Sequence, residues 1–251
     1  MECLRCEWLE VWAAAQNVPL ARFAHHARPI ASTGLDLLEL TGPDPRLLAA
    51  LRGFDSIVSW YGAGRPEFRE CVAALGLPFQ FFPALPAESS GAHAVDFYLQ
   101  QVRTLADCAS DGIPRIACPA ARGEFAAIHP FAGSPKKRWP LERFRELAGR
   151  LAPRIKVEWC AGPDDELPGA LRFDDLYELA RWLASARVYI GNDSGPTHLA
   201  AAVGTPVVAL FGPSDPAVWA PRGARATVAA APSIEGISVE QVERLVLRAL
   251  A

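Results

Sequence analysis

One carboxylate, two hydroxyls and an imidazole stand close together in Gly191-Asn192-Asp193-Ser194-Gly195-Pro196-Thr197-His198, among small turn-forming residues. Pro196 suits the first turn of a helix, where its missing N–H costs nothing. The amides of a helix beginning there, from Ser194 through Gly195 and Pro196 to Thr197, lie at its electropositive end, and such a place binds phosphate or a sugar. Asp193 is also a residue type that closes turns through its own side chain. At the end of a strand, beside an anion site, a functional role is the better reading. His198 lies one turn inside the helix, where a buried structural histidine and a phosphate contact are equally open.

A second stretch has matching chemistry. His129-Pro130-Phe131-Ala132-Gly133-Ser134-Pro135-Lys136-Lys137-Arg138-Trp139-Pro140 runs from a strand end through a small-residue loop and three successive cations to a helix start. Ser134, Lys136 and Lys137 are therefore candidates for holding a diphosphate, whose charge needs both cations and helix-terminal N–H groups. A cationic triplet alone reads as a solvated loop. Its pairing with a second helix-terminal loop two strand–helix units later favours the anion site. The acidic turn Gly162-Pro163-Asp164-Asp165-Glu166 offers Asp165 and Glu166 to ribose hydroxyls, although such residues are also common at helix N-caps.

These loops need strands and helices to hold them. Val188 to Ile190 and Pro206 to Phe211 are short apolar runs of the kind found in buried parallel strands. The Ala-rich helix between them, Thr197 to Val203, has Gly204 as its stop. Upstream, Phe125 to His129 reads as a strand, Leu141 to Leu151 as an amphipathic helix, Ile155 to Cys160 as a strand and Asp175 to Ala186 as a helix. Thr227 to Ala230 is a last strand, and Ser238 caps a helix running to Leu250. In the first half, Cys3 to Trp8 is read as a strand and Leu9 to Gln16 as a short helix. Leu47 to Leu51 and Phe68 to Leu75 are helices, Ser56 to Tyr61 and Phe79 to Phe82 strands. His93 to Cys108 is helical, with Val95, Leu99, Val102 and Leu105 on one face. Asp111 to Gly123, rich in proline and glycine, is the linker between an α/β domain over 1–120 and another over 121–251. Trp139, Trp182 and Phe211 pack the core. Tyr61, His93 and Tyr98 lie near element ends where an acceptor would bind.

Composition narrows the function further. The chain of 251 residues carries a net charge of −3, so an anion site must be local, and a nucleic-acid binder held by general basicity is excluded. No apolar run is long enough to span a membrane, and the acidic N-terminus lacks the core of a signal peptide, so a cytoplasmic protein is expected. The six cysteines are scattered and read as reduced thiols, and Cys3-x-x-Cys6 has no second pair to make a zinc site. No G-x-x-x-x-G-K-[ST] occurs, and Gly62-x-Gly64 lacks the third glycine of a dinucleotide turn.

Together the two long stretches resemble glycosyltransferase family 9, the ADP-heptose:lipopolysaccharide heptosyltransferases. The matching residues are Gly191 to Ala202 with Gly204-Thr205-Pro206 and Phe211-Gly212-Pro213-Ser214-Asp215-Pro216, and His129-Pro130 followed by Lys137-Arg138-Trp139-Pro140. The resemblance implies a GT-B fold: two Rossmann-like domains with parallel sheets facing a cleft, the donor held by the second and the acceptor by the first. It implies inverting transfer of a heptose from ADP-heptose to a lipopolysaccharide-core or related glycan acceptor. No metal or other cofactor is implied beyond the ADP-sugar donor, and the place of action is cytoplasmic, peripheral to the inner membrane face. Carried over by position, Lys137 contacts the diphosphate with Ser134 nearby, Asp193 and the Ser194 to Thr197 amides hold the sugar–phosphate, and Asp165 or Glu166 the ribose. One departure stands out. The family opens with a strand and turn carrying a Gly-Asp pair whose aspartate is the expected base, and this sequence contains no Gly-Asp dipeptide. The expectation is therefore a truncated N-terminal domain whose remaining strands have closed up or accept another element, and slow transfer. The alternative function is a non-catalytic nucleotide-sugar-binding or interaction protein derived from the family.

Overall fold

A computed structural model of the chain describes residues 6–42, 44–87, 91–119, 121 and 123–251. The chain divides into two compact units, Met1–Ser90 with Gln100–Cys108, and Gly91–Leu99 with Ala109–Ala251.

In the first unit, β1 (Glu10–Ala13) pairs in parallel with β2 (His26–Pro29). The helices α1 (Leu38–Thr41) and α2 (Pro45–Arg52) follow, then β3 (Ile57–Ser59), α3 (Pro66–Ala74) and β4 (Phe79–Phe81), with β3 and β4 again parallel. Asp44 caps α2 by accepting the Arg46 N–H at 2.6 Å, and Pro45 occupies its first turn. The helix expected over Leu9 to Gln16 does not form. Its first half is β1 and its second a 3-10 turn, Ala15–Leu20. Pairing decides this: Glu10 to Ala13 find a partner 16 residues on, and Trp12 packs edge-on against Phe54 while donating its Nε1–H to Glu10. β2 has no apolar alternation of its own, so strand character here is conferred by context. Of the expected strand Cys3 to Trp8, Cys3 to Arg5 lie outside the described residues, and Cys6 to Trp8 form no strand. Cys108 is disulfide-bonded, which corrects the expectation of six reduced thiols.

Among the described residues, these four strands remain two separate pairs and do not close into one sheet. Packing, not a continuous ladder, unites them. Trp12, Ile57, Phe79 and Phe81 all rest on one apolar cluster built from Leu35, Leu38, Leu47, Leu51, Phe68, Val72 and Leu77. Phe68, fully buried, meets Tyr61, Phe79 and Phe81 edge to face. The helix α4 (Ala94–Arg103) contributes its beginning to the second unit and its end to the first.

The second unit alternates strictly: β5 (Phe125–His129), α5 (Leu141–Leu151), β6 (Lys156–Trp159), α6 (Leu176–Ser185), β7 (Val188–Asn192), α7 (Gly195–Ala202) and β8 (Val207–Phe211). A short α8 (Pro216–Trp219), β9 (Ala226–Ala230) and α9 (Val239–Leu250) complete it. All five strands are parallel, in the order β6-β5-β7-β8-β9. β5, β7 and β8 are buried along their whole length, which is why they read as unbroken apolar runs. Alternate residues serve opposite faces. Ile128, Ile190 and Leu210 pack with Phe144, Leu147 and Leu151 of α5 and Val242 and Val246 of α9. Leu199 and Ala200 of α7 and Leu179 and Leu183 of α6 are also buried, and Thr205 at the end of α7 donates its hydroxyl to Leu183 at 2.7 Å.

Helix ends follow the sequence signals. Asp175 caps α6, and Ser238 caps α9 by accepting the Gln241 N–H. Gly204 stops α7 at φ +83°, its N–H bonded to Ala201 and that of Thr205 to Ala200, the paired bonds of a Schellman ending. Gly212 is required for a different reason, since a Cβ there would lie 2.7 Å from the backbone nitrogen of Ile234. Gly212→Ala is expected to destabilise the protein by ~1–3 kcal/mol, the usual cost of overpacking. An unchanged melting temperature would show that the Ile234 segment yields freely.

Candidate functional site

Numbered within the second unit, the strand order is 2-1-3-4-5, and the chain reverses its winding between β5 and β7. In open parallel sheets the crevice outside the carboxyl ends at such a switch is where ligands bind. The two loops singled out by their chemistry leave from these two strands. His129 ends β5 opposite Gly191 of β7, so the basic loop and the Asp193 turn start side by side.

They converge. The Lys137 Nζ lies 2.6 Å from Asp193 Oδ2, and His198 Nε2 is 3.6 Å from Oδ1 of the same carboxylate. The Asp193 side chain is 7% exposed and that of Lys137 35%, so the pair closes over a buried anion with its cation reaching toward solvent. Burial pushes the Asp193 carboxyl up, but hydrogen bonds from His198, Lys137 and Ser214 outweigh it and hold the group at about 2. Asp193 is ionised throughout the physiological range.

The turn after β7 is organised from inside. Thr197 is fully buried, and its hydroxyl donates to the Asn192 carbonyl while facing Tyr189 and Ser194. Its N–H bonds to the Ser194 carbonyl at 3.1 Å. Of the four residues expected to present amides, Thr197 is thus spent on the turn and Pro196 has no N–H. Among the described residues, the N–H groups of Ser194 and Gly195 meet no carbonyl and are the ones open to an anion. Ser194 makes no side-chain cap to its own helix, and its hydroxyl lies 3.4 Å from that of Thr197.

Other candidates lie differently. Lys136 is exposed and Ser134 half-buried at the head of a 3-10 turn, Pro135–Lys137, that projects the lysines. Asp165 accepts the Gly162 N–H at 2.9 Å and so closes its own turn, while Glu166 is exposed beside it. Arg172 braces this turn by donating to the Asp165 carbonyl. His93 and Tyr98 belong to the second unit, not the first. His93 Nε2 lies 2.9 Å from the Ala220 carbonyl, and Asp96 pairs with Arg222, whose Nη1 is 2.7 Å from Oδ1. Tyr61 stays in the first unit, with the Arg65 guanidinium over its ring. Cys160 is buried, and its thiol is pushed up to about 12 by desolvation, so it is inert. Among the described residues, no group of three or more His, Cys, Asp or Glu is placed to hold a metal ion.

Three residues of the site were not singled out from sequence. Ser214, in the loop after β8, shares Asp193. Asn192 is fully buried and hydrogen-bonds both ends of the basic loop. His129 is 7% exposed, and its Nδ1 finds no partner among the described residues. All three stood inside the informative stretches, but a residue type alone does not reveal a buried contact.

Fold and site together define an open parallel α/β protein whose switch point brings a lysine and a buried aspartate together. Residues 89–245, more than half of the chain, match the family model for glycosyltransferase family 9 (heptosyltransferase), and the chain belongs to that family. It is 33% identical over 130 residues to lipopolysaccharide heptosyltransferase 1 of Escherichia coli O18:K1:H7, covering 47% of this chain and 40% of that protein. It is 31% identical over 147 residues to lipopolysaccharide heptosyltransferase 3 of E. coli K12, covering 50% of this chain and 42% of that protein. The chain thus matches less than half the length of these relatives. Among solved structures, it resembles the glycosyl transferase family 9 protein of Veillonella parvula, with a TM-score of 0.69 at 17% identity over 100% of this chain and 99% of that one. It also resembles E. coli heptosyltransferase WaaC solved with ADP, with a TM-score of 0.66 at 18% identity over 96% and 89%. At these identities the likeness establishes the fold, which is of the GT-B class. Among the described residues, no helix is long and apolar enough to cross a membrane.

Proposed function

We propose that the protein is a heptosyltransferase-type glycosyltransferase that moves a heptose from ADP-heptose, with inversion, to a lipopolysaccharide-core or related glycan acceptor. The observation that carries this reading is the Lys137–Asp193 pair at the switch point, inside the segment that matches the family. In this reading the Lys137 ammonium and the Ser194 and Gly195 amides take the diphosphate, whose negative charge grows as the sugar–phosphate bond breaks. Lys137 thereby does work that needs no metal. Asp193 and His198 take sugar hydroxyls, and Asp165 or Glu166 the ribose. Related proteins supply the donor class: one solved heptosyltransferase is described with ADP and another time with ADP-2-deoxy-2-fluoro heptose. With a lipid-linked acceptor, the place of action is the cytoplasmic face of the inner membrane.

The test is calorimetry of the full chain against ADP-, UDP- and GDP-sugars, followed by a transfer assay. Binding of ADP-sugars in preference to the others, with turnover, is expected. Equal affinity for all three nucleotides would remove the ADP assignment. Tight ADP-sugar binding without transfer to any glycan acceptor would turn the reading to a nucleotide-sugar-binding protein.

A further inference from the structure

We propose that Asn192 is a positioning residue for this site, strapping both ends of the Lys137 loop to the end of β7 so that the lysine is held against Asp193. The proposal rests on the donor-site reading above and deepens it. Asn192 Nδ2 donates to the Pro130 carbonyl at 2.8 Å, and its Oδ1 accepts the Trp139 N–H at 3.0 Å. Pro130 opens the loop and Trp139 closes it, and Lys137 stands two residues before the second anchor. Asn192 is fully buried, so water does not compete for either bond.

The chemistry of the two partners dictates the residue. The Pro130 carbonyl can only accept, and the Trp139 N–H can only donate. One short side chain serving both must carry a donor and an acceptor on the same carbon, which an amide does. This also fixes which way the Asn192 amide points. Aspartate would lose the donor, and a hydroxyl would be too short to reach both ends. Trp139 is a firm anchor in turn, 1% exposed, with its Nε1–H donated to the Ile237 carbonyl at 2.9 Å. Asn192 adjoins Asp193 in the chain. The strap therefore fixes both members of the Lys137–Asp193 pair from a single point, as a site needs if its cation is to be in place before the ligand arrives. The loop has a second internal tie, Arg138 Nε to the Ala132 carbonyl at 2.7 Å, but that bond joins loop residues to each other and not to β7.

Asn192→Leu in the full chain tests this with two readouts. The first needs no ligand: the Asp193 carboxyl is titrated by carbon NMR. Its midpoint is expected to rise toward the ordinary carboxylate range once Lys137 is no longer held. The second is ADP calorimetry in a double-mutant cycle. Asn192→Leu is expected to weaken binding about tenfold alone, but less than about twofold on a Lys137→Ala background, because residues acting through one another are not additive. An unmoved Asp193 midpoint, or equal losses on both backgrounds, would overturn the proposal. Should the leucine variant fail to fold, Asn192→Ala removes both bonds without a bulky apolar group and is read in the same way. If the wild-type chain binds no ADP-sugar, the donor reading fails, and the titration still decides whether Asn192 places Lys137.

Discussion

Lys137→Ala is expected to weaken ADP-sugar binding about 10- to 150-fold, the equivalent of ~1.5–3 kcal/mol for hydrogen bonds to a charged group. The lysine is the cation that the two converging loops bring to the switch point, 2.6 Å from Asp193. Its removal has a second consequence. Asp193, 7% exposed, keeps its charge but loses its nearest counter-ion, so stability should also fall. The fall should be modest, because Lys137 is 35% exposed and solvent already screens the pair. Lys137→Arg separates the two effects. It restores a counter-ion for Asp193, while its planar fork meets a diphosphate differently from an ammonium. Isothermal calorimetry and thermal melting of both variants make the measurement. Nucleotide affinity unchanged in Lys137→Ala would return this lysine to the solvated loop that the cationic triplet by itself suggests.

The protein is expected to lose ~3 kcal/mol of stability between about pH 6.5 and pH 4 through His129 alone. Burial drives its imidazole down to about 4, against the opposing influence of Asp165 and of the Phe131 backbone, with Arg138 adding to the downward shift. The sign follows from the proton count. Above about 6.5 the ring is neutral in both the folded and the unfolded chain, so it has no effect on the balance. Between the two values the unfolded chain takes up the proton first, and folding is disfavoured progressively as pH falls. The Nδ1 without a hydrogen-bond partner fits the same picture, since no acceptor among the described residues is bonded to it to stabilise a proton there. His129→Gln, which cannot ionise, should flatten this part of the curve of unfolding free energy against pH. A variant whose slope between pH 4 and 6.5 matched the wild type would assign the acid sensitivity elsewhere. Asp193 enters only at the acid end of this window: its carboxyl is held at about 2 in the folded chain, and its stabilising contribution is lost as pH falls below about 4, where the unfolded chain takes up the proton first.

How much of this could be read from the chain differs between the halves, and the reason is the source of each element's stability. In the second unit, β5, β7 and β8 lie inside a sheet covered on both faces, so apolar side chains are demanded at every position and the strands announce themselves. Their helices carry local stop and start signals, Asp175, Gly204 and Ser238, that act over a few residues and survive in any context. In the first unit the strands are three or four residues long and half-buried, and β1 exists because it meets β2, a partner its own sequence does not specify. The site divides in the same way. That Lys137 and Asp193 share one edge follows from both loops leaving parallel strands by their carboxyl ends, which the βα alternation already contains. That β5 and β7 are neighbours depends on sheet order, which no local pattern encodes. The same holds for Asn192, whose bonds to Pro130 and Trp139 span 62 and 53 residues, and for Ser214, brought to Asp193 from the next strand. In the second unit, residue type and spacing by themselves determined the strands, the helix ends and which groups could meet an anion. Only the tertiary structure decided which of those groups are spent on the turn, as Thr197 is, and which remain free, because a hydrogen bond between distant parts of the chain is settled by packing.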